Sequence, residues 1–86
     1  MEKVTDYIVD PIFWWENEPT EEELKIIKKV VCGYAQHSVD VMSDTLRENH
    51  YFAKISEPEL KCTANIYGLG YNILTYCEIN IFRMDN

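Results

Sequence analysis

The chain has 86 residues, of which 47% are apolar, so it can form one domain with one hydrophobic core and is too apolar to be disordered. Its formal net charge is −7, and residues 1–24 carry the whole excess, with eight acidic side chains and one lysine. This charge argues against direct binding to nucleic acid or to an anionic membrane, because both require a basic surface. We therefore expect a single domain over residues 1–86 whose partner is a protein with a basic surface.

The sequence gives no sign of a segment for export or membrane insertion. The longest apolar runs, such as Ile12–Trp15, are far shorter than the roughly 20 residues of a membrane-spanning helix. Residues Met1–Asp10 lack the apolar stretch of a signal peptide. The three cysteines, an odd number, indicate free and reduced thiols. Together these features predict a cytoplasmic protein without membrane contact.

The first predicted element is a short strand over Val4–Val9, a segment rich in side chains that favour strands. Asp10 and Pro11 are expected to end it, because proline has no backbone N–H to give to a neighbouring strand. Residues Ile12–Glu18 then predict a loop or a short extended piece.

A long helix is the clearest local prediction. Thr20 is the expected N-cap and Glu23 is its partner three residues later, which together make a capping box. The spacing of the apolar residues predicts one helix of about 27 residues that ends near Glu48 and bends at Gly33. The alternative is two helices with a break at Gly33. The positions that recur at the helical period are Leu24, Ile27, Val31, Ala35, Ser38, Met42 and Leu46, and Val30, Tyr34 and Val41 are expected to widen this stripe.

The last third of the chain predicts three strands. They cover His50–Ser56, Leu60–Ile66 and Tyr71–Met84, with a turn at Glu57-Pro58 and a hairpin loop at Gly68-Leu69-Gly70. The last strand is expected to place Ile73, Thr75, Cys77, Ile79 and Ile81 on one face.

The pairing of the last two strands is predicted by matching their apolar faces. This places Cys62 beside Cys77 and Leu60 beside Ile79, with Ile66 beside Ile73 as the third pair. The elements together predict an α+β fold in the order β-α-β-β-β, with one long helix packed on a small antiparallel sheet.

The most unusual segment is an aromatic run enclosed by acidic residues. Adjacent residues of an extended segment point to opposite sides, so at least one of Trp14 and Trp15 is expected near the surface. Tryptophan is frequent at the centres of protein interfaces, and surrounding acids attract a basic partner. The predicted partner-binding residues are Phe13, Trp14, Trp15, Glu16, Glu18, Glu21, Glu22 and Glu23. In the alternative interpretation the tryptophans cover the end of the core and the glutamates only cap the helix.

A narrower hypothesis is that the protein imitates nucleic acid. Carboxylates spread over a small rigid domain can occupy a basic groove in place of phosphates, and such binding is fast and sensitive to salt. Small acidic phage proteins that inhibit CRISPR effectors or restriction enzymes act in this way as a class. Size and charge favour a similar phage-type counter-defence role here, an inhibitor of a nucleic-acid-binding enzyme.

Two further hypotheses use other residues. The outer face of the sheet could mediate self-association, giving a homodimer through Tyr67, Tyr76 and Phe82. Alternatively, His37, Asp40 and Asp44 share a helix face on which a metal could bind, although a solvated polar face explains them more simply. No catalytic set of nucleophile, base and orienting group can be assembled, so we expect no enzyme activity, no metal and no cofactor.

Overall fold

A computed structural model describes residues 1–84, which form one helix and five strands. In chain order the elements are β1 (Glu2–Val9), β2 (Ile12–Trp15), α1 (Glu21–Glu48), β3 (Tyr51–Ile55), β4 (Glu59–Ala64) and β5 (Tyr71–Arg83). The α+β class and the long helix on an antiparallel sheet agree with the sequence prediction. The order is β-β-α-β-β-β, so the helix follows two strands and not one.

The last strand, β5, is the axis of the sheet, because all four other strands pair with it in antiparallel orientation. Residues 79–83 of β5 pair with both β1 and β3, and residues 71–74 pair with both β2 and β4. The strands β1 and β2 therefore run along one side of β5, and β3 and β4 run along the other. The molecule is accordingly elongated, 54 Å long and 18 Å across.

The segment after β1 was predicted as a loop or extended piece, and it is a strand that continues the same side of the sheet. Asp10 and Pro11 interrupt the ladder, but β1 and β2 keep one register along β5, with Ile12 opposite Leu74. The hydroxyl of Thr75 donates a hydrogen bond to the Pro11 carbonyl and so ties the interruption to β5. Pro11 lacks a backbone N–H to donate, but the chain stays paired with β5 on both sides of it.

On the opposite side, the predicted turn at Glu57-Pro58 is a bulge. The register along β5 shifts by one residue between β3 and β4, so the chain continues beside β5 and does not turn back. Ser56 holds the bulge: its backbone N–H donates to the Glu78 carbonyl, and its hydroxyl accepts from the Glu78 backbone N–H, both at 2.8 Å.

The helix covers one face of the sheet, which we call the inner face, and the core lies between them. The β5 residues predicted for one face, Ile73, Thr75, Cys77, Ile79 and Ile81, are all buried. From the helix, Ile27, Val31 and Ala35 are buried against them. Every second residue of β5 and every fourth residue of this part of the helix therefore pack together in the core, as predicted.

The predicted capping box is present at the helix start. The Thr20 side chain accepts a hydrogen bond from the Glu23 backbone N–H at 3.1 Å, and the Glu23 carboxylate accepts one from the Thr20 backbone N–H at 3.0 Å. The helix runs through Gly33 as a single element of 28 residues, so the two-helix alternative is wrong.

The predicted register of the last two strands is wrong by four residues. Cys62 lies opposite Ile73 and is exposed, whereas Cys77 is buried, so the two cysteines are not neighbours. The reason is the position of the turn: Gly68 donates its N–H to the Asn65 carbonyl and Asn65 donates its own to the Gly70 carbonyl, so the chain turns between Tyr67 and Gly68, two residues earlier than predicted.

One part of the helix prediction is also wrong. Val30, Tyr34 and Val41 were expected to widen the core stripe, but they are 37%, 51% and 73% exposed. At any point along β5 the sheet is only three strands wide, so it contacts only a narrow stripe of the helix surface. Val30, Tyr34 and Val41 lie outside that stripe. Among residues 1–84, no helix is long and apolar enough to cross a membrane.

Candidate protein-binding surface

The sheet separates the residues that the sequence predicted as one binding site. Along β2, Phe13 and Trp15 are half-buried and pack against the inner core, while Trp14 lies on the opposite side and is 59% exposed. This follows from strand geometry, since successive side chains point to opposite faces. Of the aromatic run, Trp14 is therefore the residue available to a partner.

On the inner side, Trp15 and Glu23 form part of the structural frame. The Trp15 indole N–H donates to a Glu23 carboxylate oxygen at 2.9 Å, and the same carboxylate closes the capping box with Thr20. The hydrogen bond from the Thr20 backbone, followed by that from Trp15, lowers the pKa of Glu23 below its usual value. Both residues thus hold the helix start against the sheet.

The other predicted glutamates are exposed around the helix start. Glu16 and Glu18 lie in the segment between β2 and the helix, and Glu21 and Glu22 lie in the first helical turn. Glu22 approaches Lys25 at 3.6 Å, an exposed pair of little energetic weight. Glu21 and Glu22 belong to the helix, which covers the inner face, whereas Trp14 lies on the opposite face of the sheet.

Exposed apolar side chains collect on the outer face of the sheet, around Trp14. Ile12 and Leu74 are opposite each other in the register, and both are exposed. Ile8 and Tyr76 continue this exposed set along the face. We call these five residues, Ile8, Ile12, Trp14, Leu74 and Tyr76, the outer patch.

The outer patch is bordered by carboxylates. The Tyr76 hydroxyl donates a 2.7 Å hydrogen bond to Glu78, its neighbour on the same face. That bond raises the pKa of Tyr76, and partial desolvation followed by the negative charges of Glu78, Asp6 and Glu59 raises it further. Asp10 completes the group, since the continuous register of β1 and β2 places it beside Tyr76.

One cation, Lys61, lies within the outer face opposite Leu74 and two residues from Glu59, and the other cations of this face sit elsewhere. Lys3 pairs with Asp6 at 3.0 Å, and Lys54 lies over the stacked rings of Phe52 and Phe82, 5.9 and 5.6 Å from their centroids. In the part of the chain that the structure describes, no lysine or arginine pairs with Asp10, Glu59 or Glu78. These three carboxylates remain available to a basic partner.

The loop between β4 and β5 fixes Trp14 in place. Its indole N–H donates to the Leu69 carbonyl at 3.0 Å. Gly70 has a φ of +115°, and a Cβ there would lie 2.8 Å from the Trp14 indole nitrogen and 2.6 Å from the Trp15 carbonyl oxygen. Only glycine therefore allows the ring to lie against the loop. The loop also exposes Ile66, Tyr67 and Leu69 beside Trp14.

Sequence reasoning missed most of the outer patch. Ile8, Ile12 and Leu74 were not singled out, and Asp10, Glu59 and Glu78 were not grouped. A usable signal was present: on β5 the residues alternating with the buried set include Leu74, Tyr76 and Glu78. Their meeting with Asp10 and Ile12 depends on the pairing of β2 with β5, which the sequence did not predict.

Among residues 1–84 the structure assembles no metal site, and its one buried thiol, Cys77, is protonated. No group of three His, Cys, Asp or Glu side chains there is placed to hold a metal ion. Burial raises the pKa of the Cys77 thiol, whose sulfur lies 3.2 Å from the Ser56 carbonyl oxygen. A protonated, buried thiol is a poor nucleophile.

Comparison with models of protein families, with curated proteins and with solved structures yields no match to this chain. Its function must therefore be argued from its own surface.

Proposed function

We propose that this protein is a non-enzymatic binding module whose outer patch docks on a basic surface of a partner protein. The observation that carries the proposal is the combination on one sheet face of exposed Trp14 and Leu74 with the carboxylates around Tyr76. The proposal differs from the sequence prediction in its acidic residues: Asp10, Glu59 and Glu78 of the sheet take the place of the glutamates at the helix start.

The chemistry of the outer patch suits protein recognition. Interfaces have an apolar, often aromatic centre with a polar border, and a few anchors supply most of the binding energy. The hydrogen bond from Trp14 to the loop restricts the orientation of the ring, which reduces the conformational freedom lost on binding. The bordering carboxylates accelerate encounter with a basic partner and select against acidic ones.

Within this proposal, the more specific form is inhibition of a nucleic-acid-binding enzyme by occupation of its basic groove. The support is the excess of acids and the length of the molecule, 54 Å, along which the carboxylates are distributed. A phage-type counter-defence role is the narrowest version of this form, and it rests on size and charge.

The test compares two variants with the same change in charge on different surfaces. The outer-patch variant carries Asp10→Lys, Glu59→Lys and Glu78→Lys, and the control carries Glu18→Lys, Glu21→Lys and Glu22→Lys. Both are used with the wild type to capture partners from lysate and from a panel of purified DNA- and RNA-binding enzymes. Washes at low and at high salt shorten the Debye length from about 10 Å at 0.1 M to about 3 Å at 1 M.

We expect the outer-patch variant to lose a salt-sensitive partner that the control retains. The captured partner should also release its DNA or RNA when the wild-type chain is added, if the more specific form holds. Loss of the partner from the control variant alone would return the site to the helix-start glutamates. Equal capture by all three chains would remove the outer patch from the proposal.

A further inference from the structure

The strands β1 and β2 form a free edge of the sheet. Each of them pairs with β5 on one side, and no strand among residues 1–84 pairs with the other side. Such an edge presents a row of backbone N–H and C=O groups with which a further extended chain can pair. The opposite edge, formed by β3 and β4, is interrupted by the bulge that Ser56 holds, and a bulge disrupts the pairing of an edge.

The outward backbone groups of the free edge can be assigned residue by residue. Glu78 accepts from the Ser56 backbone N–H and donates its own N–H to the Ser56 hydroxyl, so its backbone groups point away from β1. Ile8 lies opposite Glu78 on the other side, and in such a pair both residues turn their backbone groups away from each other. Because these directions alternate along a strand and the register is continuous, the outward set is Asp6, Ile8, Asp10, Ile12 and Trp14.

Pro11 does not interrupt this outward row. It lies between two outward residues, Asp10 and Ile12, so the position of its missing N–H faces β5 and not solvent. Its carbonyl accepts the hydrogen bond from the Thr75 hydroxyl. A proline that protects an edge removes a donor from the outward row, and this one removes none of the five. The free edge is therefore open to a further strand.

On the inner side of this edge, the helix presents an apolar flank. Glu23, which binds Trp15 of β2, shares one flank of the helix with Val30, Tyr34 and Val41, at the spacings i+7, i+11 and i+18. This flank therefore faces the side of the sheet that β1 and β2 form. All three side chains are exposed. The opposite flank differs at its start, where charged side chains line the gap beside β4.

Towards the end of the helix, a gap separates it from β1. A cavity of about 190 Å³ lies there, lined by Val4 and Tyr7 of the strand and by Met42 and Thr45 of the helix. Both strand residues are exposed, so the helix leaves the inner side of β1 uncovered. We call the apolar residues on the two sides of this opening the edge trough: Val4, Tyr7, Val30, Tyr34 and Val41.

The occupant that fits is an extended segment in which apolar and basic residues alternate. Side chains of an added strand alternate between the two faces of the sheet. Those on the inner side would lie beside the edge trough, which favours apolar residues. Those on the outer side would lie beside Ile8, Asp10 and Ile12, and Asp10 pairs with no lysine or arginine among residues 1–84. A second copy is disfavoured, because it brings the same aspartate and the same net charge of −7.

We propose that the free edge over Asp6–Trp14 takes a further β-strand from a basic partner protein. In this mode of recognition, backbone hydrogen bonds supply affinity and alternate side chains supply specificity. The inference deepens the proposed function, on which it rests for the basic character of the partner. It also joins the outer patch and the edge trough into one interface, since the added strand contacts both.

The test uses the full chain labelled with ¹⁵N and a defined probe, a short peptide in which lysine and valine alternate in equal number. In the free chain, the amide protons of Ile8 and Ile12 should exchange with solvent faster than those of Tyr7 and Val9, which bond to β5. Saturating peptide should slow the exchange of the first pair roughly tenfold or more and leave the second pair unchanged.

Two methylated peptides provide the matched control. One carries N-methyl groups on the lysine amides and the other carries them on the valine amides, so that their compositions are the same. An added strand turns alternate amides to opposite sides, and therefore only one of the two peptides loses the groups that face β1. That peptide should bind roughly tenfold or more weakly than the other, and its identity gives the direction of the added strand.

A pair of variants tests the edge from the side of the protein. Ile8→Pro and Ile8→Ala both remove the isoleucine side chain, but only proline removes the outward N–H. Because that N–H faces away from β5, both variants should fold with similar melting temperatures. Ile8→Pro should bind the lysine–valine peptide roughly tenfold more weakly than Ile8→Ala. Should Ile8→Pro fail to fold, the methylated peptides test the same hydrogen bonds on the wild-type chain.

Three outcomes would overturn the added strand. They are no binding of the lysine–valine peptide, equal binding of the two methylated peptides, and outward amides that are already protected in the free chain because a second copy occupies the edge. A peptide with glutamate in place of lysine separates this proposal from the proposed function. It should bind more weakly. Equal binding of the two charge types, with the methylation contrast intact, would remove the basic partner and leave the added strand.

Discussion

The two faces of β5 differ in what they contribute, although one strand supplies both. On the inner face Ile73, Cys77 and Ile79 are essentially inaccessible to solvent. On the outer face Leu74 and Tyr76, only one residue away in sequence, remain exposed. A strand with apolar residues on both faces is ordinary when both faces are covered, but here one helix covers one face. The uncovered face is therefore the one with apolar surface left for a partner.

The largest difference is expected from truncation of the two faces. Ile79→Ala removes a buried side chain and leaves a cavity, so the free energy of unfolding should fall by about 2–5 kcal/mol. Leu74→Ala should lower it by less than about 1 kcal/mol, because the side chain is already partly in water. Urea denaturation of both variants measures this contrast. Similar losses would mean that the outer face is covered within the single chain.

A smaller loss is expected at the loop that supports Trp14. Gly70→Ala combines an unfavourable φ of +115° with a Cβ 2.6 Å from the Trp15 carbonyl oxygen. Such strained positions cost about 1–3 kcal/mol, and the loop must also shift from the indole ring. We expect a lower melting temperature together with a change in tryptophan fluorescence. An unchanged spectrum would show that the loop does not position Trp14.

The two tryptophans give a matched pair of weaker effects. Trp15→Phe removes the hydrogen bond to Glu23, which contributes about 0.5–1.5 kcal/mol to stability. Trp14→Phe also removes one hydrogen bond, but that bond is exposed and water replaces it. Thermal unfolding should therefore separate the two variants, with Trp15→Phe the less stable. The reverse order would exchange the roles assigned to the two rings.

The smallest effect is a dependence of stability on pH. Because hydrogen bonds from Thr20 and Trp15 lower the folded-state pKa of Glu23 below 4.5, its contribution is complete above that pH and is lost as the pH falls through the lower folded value. Glu23→Gln has no charge to titrate, and its single carbonyl oxygen can accept only one of the two bonds, which the two carboxylate oxygens of Glu23 accept separately. Its unfolding free energy should fall less steeply than that of the wild type below pH 4.5. Identical slopes would remove Glu23 from this account.

Local chemistry explains what could be predicted from the sequence. The capping box of Thr20 and Glu23 depends on residues three positions apart, and the buried set of β5 depends on a simple alternation. Both were predicted and both are present. These features need no knowledge of how distant segments meet.

The features that could not be predicted depend on contacts between segments that are distant in the sequence. The position of Cys62 opposite Ile73 depends on the length of a loop whose glycines allow several turns. The outer patch exists because β2 pairs with β5 from the other end of the chain, past a proline that suggested a break. The exposed Val30, Tyr34 and Val41 were assigned to the core stripe, because periodicity alone does not give the width of the surface that a helix covers.

The most direct test of the central claim, that β5 builds the core with one face and binds a partner with the other, is Leu74→Arg measured in two ways. The free energy of unfolding comes from urea denaturation, and binding comes from capture of the salt-sensitive partner. The account predicts an unfolding free energy within about 1 kcal/mol of the wild type and a loss of capture, because surface substitutions are mild whereas a buried cation repels a basic partner. Full capture by a stably folded Leu74→Arg chain would contradict it.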